Sequence, residues 1–234
     1  VLAEIAFAGP EHMLRVALVP GVLPALVAAV AAGGTAAAAS MQNAAASSAA
    51  VLARIASSGL QHVQRVAKVP GVLPALVAAV AAGGATAAAT MQTAAGSSAL
   101  VLATIALACP EHVQRVAEVP GVLPALVAAV AAGGSTAAPM VRNAAQNSTV
   151  ALANIASAGP DLARRVAEVP GALRVLVAAT NHGGSAAEQA RSAVAVITSW
   201  AETAVAAGSN ACGHCGRSAD NATGVRLRLC KGCN

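Results

Sequence analysis

The chain has 234 residues, enough for one large domain or a repeat array. It is 57% apolar but 1% aromatic, and its 10% of charged residues is well below the roughly 25% of an average globular chain. The net charge of +5 is uneven, with ten Lys or Arg against eight Asp or Glu in residues 1–210 and four against one in the last 24. Residues 1–210 therefore lack both the basic stripe and the stacking aromatics of a nucleic-acid binder. Alanine dominates the apolar count and, with leucine, favours helix over sheet.

Taken in order, the chain repeats itself. The sixteen residues VPGVLPALVAAVAAGG stand unchanged at Val19 to Gly34, Val69 to Gly84 and Val119 to Gly134, and a drifted copy runs from Val169 to Gly184. A period of 50 marks a stacked array, because one such unit cannot bury its apolar face alone. The longest apolar run of the unit, Val22 to Ala32, falls short of the about 20 residues that cross a membrane and holds Pro24, so no membrane span is expected.

Each unit reads as three helices. In the third copy the first helix begins at Pro110, which suits a first helical position, with Glu111 at the positive end of the dipole. Val113, Val116 and Ala117 share its apolar face, and Pro120-Gly121 forces a turn. The second helix carries Leu123, Leu126, Val127 and Val130, with Pro124 in its first turn. Gly133-Gly134 is expected to end it as a C-terminal cap. The third helix is expected from about Pro139 to Ala158, after a Ser135 to Ala138 linker, and Gly9, Gly59 and Gly159 close this helix in three copies while Cys109 takes the place in another.

Positions four and seven apart share a face of the third helix. They read Asn43, Ser47, Arg54, then Thr93, Ser97, Thr104, then Asn143, Asn147, Asn154: a polar stripe repeated once per unit. It can hydrogen-bond a partner's backbone or serve as a solvated helix face. Two columns lie on the first helices. His12, His62 and His112 sit in separate units, too far apart to share an ion, and are expected at the surface. Arg15, Arg65, Arg115 and Arg165 are likewise expected to be solvated.

After Ser209 the pattern breaks. Cys212-Gly-His-Cys215 and Cys230-Lys-Gly-Cys233 are two CxxC pairs with fourteen residues between them. Four thiolates suit the tetrahedron of Zn²⁺ better than a disulfide does in a chain without a secretory signal. So short a segment cannot bury a core, and metal would supply its folding energy. The expected metal ligands are Cys212, Cys215, Cys230 and Cys233; a complete four-cysteine ribbon is one arrangement open to them.

Three helices per unit with a proline-marked second helix resemble the armadillo repeat. The resemblance is carried by Gly-Val-Leu-Pro-Ala-Leu-Val at Gly21, Gly71 and Gly121, and by Leu152-Ala-Asn-Ile-Ala156. It implies an all-α, right-handed superhelical solenoid over residues 1–208, with units at about 10–58, 60–108, 110–158 and 160–208 and residues 1–9 ending a fifth. It also implies a concave groove of third helices that takes a protein or peptide, with the nine stripe residues as candidate groove contacts. The nuclear-import members of that family pair a tryptophan with an asparagine four residues later; Val150 before Asn154 and Ala204 after Trp200 interrupt both pairs here, which argues against basic import signals as ligands.

Cys212-x-x-Cys215-Gly and Leu227-Arg-Leu-Cys230-Lys-Gly-Cys233 resemble the opening of a MYND-type zinc finger, so residues 209–234 are expected to be an incomplete finger. A complete finger of that type would take a proline-containing motif of a partner. The start within a repeat and the end just after Cys233 fit a piece of a longer protein, expected in the cytoplasm or nucleus. No phosphate-binding loop, HExxH, Gly-x-Ser-x-Gly or deaminase signature is present, so an interaction scaffold with a structural zinc finger is expected and not an enzyme. The alternatives are a non-catalytic piece of a methyltransferase or ubiquitin ligase, or a nucleic-acid-binding zinc module using the basic tail.

Overall fold

A computed structural model describes residues 10–34, 36–108, 110–134, 137–182 and 184–206. They form helices in sets of three. The first set is α1 (Pro10–Leu18), α2 (Val22–Ala32) and α3 (Ala39–Ser57), and the second is α4 (Leu60–Ala67), α5 (Val72–Ala82) and α6 (Ala89–Ala108). The third is α7 (Pro110–Glu118), α8 (Val122–Ala132) and α9 (Pro139–Ser157). The fourth is α10 (Pro160–Glu168), α11 (Ala172–Ala179) and α12 (Gly184–Ala206), with a short 3₁₀ turn at Thr180–His182.

The Val-Pro-Gly turn sets the angle inside each unit. Gly21, Gly71, Gly121 and Gly171 take φ of 75° to 82°, a left-handed conformation that costs a side-chain-bearing residue about 1–2 kcal/mol. The chain turns by 90° between α4 and α5 and by 86° between α7 and α8. Pro74 and Pro124 then fall in the first turn of α5 and α8, where no helical amide bond is lost.

Gly33, Gly83 and Gly133 end the second helices as expected of a C-terminal cap, but not through a left-handed backbone. Their φ lies between −84° and −89°, open to any residue. What excludes a side chain is contact: a Cβ on Gly33, Gly83 or Gly133 would lie 2.1 Å from the Cβ of Ala45, Ala95 or Ala145. These pairs seat each third helix against the end of the second.

The core repeats with the sequence. Leu52, Leu102 and Leu152, Ile55, Ile105 and Ile155, and Leu76, Leu126 and Leu176 are all fully buried and belong to one continuous cluster. Helix α6 packs between α3 and α9, and α9 between α6 and α12, so the third helices form one layer. The second helices stack in the same order, α2 on α5, α5 on α8 and α8 on α11.

Helix α6 departs from the expectation of no membrane-length span. Its 20 residues are long and apolar enough to cross a membrane by length and composition, yet 67% of that stretch is buried against its neighbours. Its apolar residues are divided in the sequence by Gly96-Ser97-Ser98, which leaves Ala99 to Ala103 and Ile105 to Ala108 as short runs. The fourth unit also departs from the pattern, since α12 starts at Gly184, soon after the 3₁₀ turn, whereas residues 83–88 separate α5 from α6.

Candidate functional site: the layer of third helices

The nine stripe residues all lie on the third helices, three each on α3, α6 and α9. Asn43, Ser47, Arg54 and Asn143 are exposed, whereas Thr93, Ser97, Thr104, Asn147 and Asn154 are half-buried. The difference follows from position in the array. Helix α6 has a third helix on both sides, and the α6–α9 seam is tight because Gly96 lets the backbone of Ala144 approach; a Cβ there would already touch it at 3.6 Å.

Two of the asparagines serve that seam. Asn147 Nδ2 donates to the Gly96 carbonyl at 2.9 Å, and Asn154 Nδ2 donates to the Ala103 carbonyl at 3.0 Å. Each amide donor thus ties one unit to the one before, and the side-chain carbonyl oxygen stays outside that bond. The threonines turn inward: Thr93 Oγ1 donates to Ala89 O at 2.9 Å and Thr104 Oγ1 to Leu100 O at 2.8 Å on their own helix. The stripe therefore mixes outward groups, at Asn43, Ser47 and Asn143, with groups already engaged in holding the scaffold.

Other polar columns also hold the scaffold. Gln42 Nε2 donates to Ala37 O at 3.1 Å, and Gln92 Nε2 to Ala87 O at 2.9 Å, fastening the linker to the start of the third helix. Sequence reading passed over these glutamines, although their recurrence at one position was a signal. The arginine column is not simply a solvated face. Arg115 donates to Ala67 O at 3.2 Å and Arg165 to Ala117 O at 2.7 Å, so each closes the end of the preceding unit's first helix. A cation there also suits the negative end of the helix dipole.

The histidines grade with depth in the array and are not uniformly at the surface. His12 is exposed and His62 half-buried, but His112 is 5% exposed because α6 and α9 both pack against α7. Two shallow clefts of about 390 Å³ lie elsewhere, one walled by Pro124, Val127, Pro170 and Arg174 and the other by Ala85, Gly134 and Val141. Neither brings titratable groups together. Among the described residues no group of three His, Cys, Asp or Glu could hold a metal. Cys212, Cys215, Cys230 and Cys233 lie outside the described residues.

No family model and no curated protein matches the sequence. Solved structures do. A designed armadillo repeat protein is 22% identical with a TM-score of 0.65, covering 89% of this chain and 79% of that one. An engineered protein is 24% identical with a TM-score of 0.61 over 89% of this chain and 76% of its own, and a second engineered protein is 24% identical with a TM-score of 0.50 over 85% and 89%. Together with the three-helix unit and its left-handed glycine turn, these neighbours define the fold as an all-α, armadillo-like repeat solenoid.

Proposed function

We propose that the chain is a protein-binding scaffold whose third-helix layer takes an extended segment of a partner along α3, α6 and α9. The observation that carries this reading is the set of exposed polar side chains on the third-helix layer: Asn43 and Ser47 on α3 and, two periods on from Asn43, Asn143 on α9 are exposed, over a buried Leu52, Leu102 and Leu152 column. Repeat arrays use such an extended surface for binding, because neighbouring units present equivalent positions at a fixed step. A partner backbone would meet amide donors and acceptors at Asn43 and Asn143, and acceptor oxygens at Asn147 and Asn154.

The test is a footprint. Peptides selected on the full chain from a random-sequence display library should protect backbone amides of α3, α6 and α9 from hydrogen exchange. Protection confined to α2, α5 and α8 would place the binding surface on the other helix layer and sink this reading.

A separate proposal concerns residues 209–234: Cys212, Cys215, Cys230 and Cys233 bind Zn²⁺ as the opening of a MYND-type finger, a complete form of which would take a proline-containing motif. Its support is the spacing of the two CxxC pairs. Metal analysis decides the arrangement: two zinc ions in a chain carrying a complete finger fit the MYND reading, one ion fits a ribbon, and none refutes zinc binding.

A further inference from the structure

Arg174 is the one charged residue on the four second helices. Helices α2, α5 and α8 share the sequence VLPALVAAVAA, and α11 departs from it with Arg174 at the position of Pro24, Pro74 and Pro124. The exchange does not serve α11 itself. Arg174 lies in the first turn, where a cation meets the positive end of the helix dipole and where proline is well suited. Nor does it tie units together as Arg115 and Arg165 do: Arg174 is exposed and has no hydrogen bond or ion pair among the described residues. Two carboxylates on the first helices of the same units are engaged elsewhere, Glu168 with Arg164 at 3.9 Å and Glu118 with Gln114 Nε2 at 2.8 Å.

Arg174 lines the cleft of about 390 Å³ between α8 and α11. The rest of its lining is apolar, with Val127 and Val175 buried and Pro124, Ala128 and Pro170 exposed. The seams between α2 and α5 and between α5 and α8 have the same apolar positions but carry Pro74 and Pro124 in place of the arginine. One cation beside apolar walls, present at a single seam, selects for a ligand with both characters. A guanidinium matches a carboxylate with two parallel hydrogen bonds. Such a pair is worth little in open water, and more where apolar groups on both sides exclude water from it. A basic segment would set like charges together, and a single arginine is too few for a nucleic-acid backbone.

We propose that this cleft is a second docking surface, separate from the third-helix layer, for an acidic, aliphatic segment of a partner protein. A carboxylate of the partner pairs with Arg174, and an adjacent aliphatic side chain covers Val127 and Val175. The proposal does not rest on the groove reading, since it uses the other helix layer.

The probe is a short fluorescein-labelled peptide of alternating leucine and aspartate, compared by anisotropy with its leucine–asparagine counterpart on the full chain. The aspartate peptide should bind and the asparagine peptide should bind more weakly. Arg174→Pro restores the residue of the other three units, so the urea midpoint should hold while affinity for the aspartate peptide falls at least about tenfold. Arg174→Lys should keep part of the affinity, as a cation without the fork. Asn43→Ala, Ser47→Ala and Asn143→Ala combined should leave this binding unchanged, which separates failure of the groove from failure of the cleft. Equal affinity in the parent chain and Arg174→Pro would overturn the proposal. So would equal binding of the two peptides, no binding of the aspartate peptide, or a loss confined to the groove variant.

Discussion

Gly83→Ala is the substitution whose cost the structure predicts most sharply. The added methyl would lie 2.1 Å from the Ala95 Cβ and 3.0 Å from the Met91 carbonyl oxygen. Carbon atoms pack at about 3.5–4.0 Å, so α5 and α6 must separate by roughly 1.5 Å at this point. Both methyls sit directly on backbone, and no rotamer can relieve them. Overpacking of this kind costs about 1–3 kcal/mol, less about 0.4–1 kcal/mol returned by the smaller entropy of the unfolded chain. The neighbour supplies the control: a Cβ on Gly84 meets nothing within 4 Å, and its φ is not positive. Gly84→Ala should therefore be neutral or slightly stabilising. Urea unfolding followed by far-ultraviolet circular dichroism should show a lower midpoint for Gly83→Ala alone. Adding Ala95→Gly should recover part of the loss, although that change by itself costs about 0.5–1 kcal/mol in a helix interior. Equal midpoints for Gly83→Ala and Gly84→Ala would refute the contact argument, and with it the reason the third helices keep their register.

Three other substitutions separate scaffold from surface. Asn154→Ala removes the bond to Ala103 O and should cost about 0.5–1.5 kcal/mol, measured by the same unfolding; Asn143→Ala, at an exposed position, should leave stability unchanged. Arg165→Ala gives up a 2.7 Å bond from a half-buried guanidinium to Ala117 O and should cost about 1 kcal/mol, with faster amide exchange at the end of α7. Ser148→Ala should raise the melting temperature, because its hydroxyl is buried with no hydrogen-bond partner and its desolvation costs about 1–3 kcal/mol.

The three-helix unit was legible in the chain because its signals are local. Pro24 in a first turn and Gly21 after Pro20 each act within a few residues, and the period of 50 repeats them until the pattern is unambiguous. What was not legible depends on distances across units. Asn147 and Asn143 stand four residues apart and look alike in sequence, yet one reaches Gly96, 51 residues earlier, and the other stays exposed. That difference is set by how closely α9 approaches α6. The same holds for Arg165, whose partner lies 48 residues back, and for His112, buried only because two third helices pack against α7. Gly83 was legible as a helix end but not as a contact, since Ala95 meets it only after the linker folds back.

The most direct measurement is the affinity of a library-selected peptide for the full chain and for Asn43→Ala, Ser47→Ala and Asn143→Ala combined. These three residues are exposed on α3 and α9, so the variant should keep its helicity and melting temperature. The scaffold reading predicts at least about a tenfold loss of affinity, roughly 1.4 kcal/mol, while Arg164→Ala on the exposed side of α10 loses none. Unchanged affinity in the triple variant would contradict the third-helix layer as the binding surface.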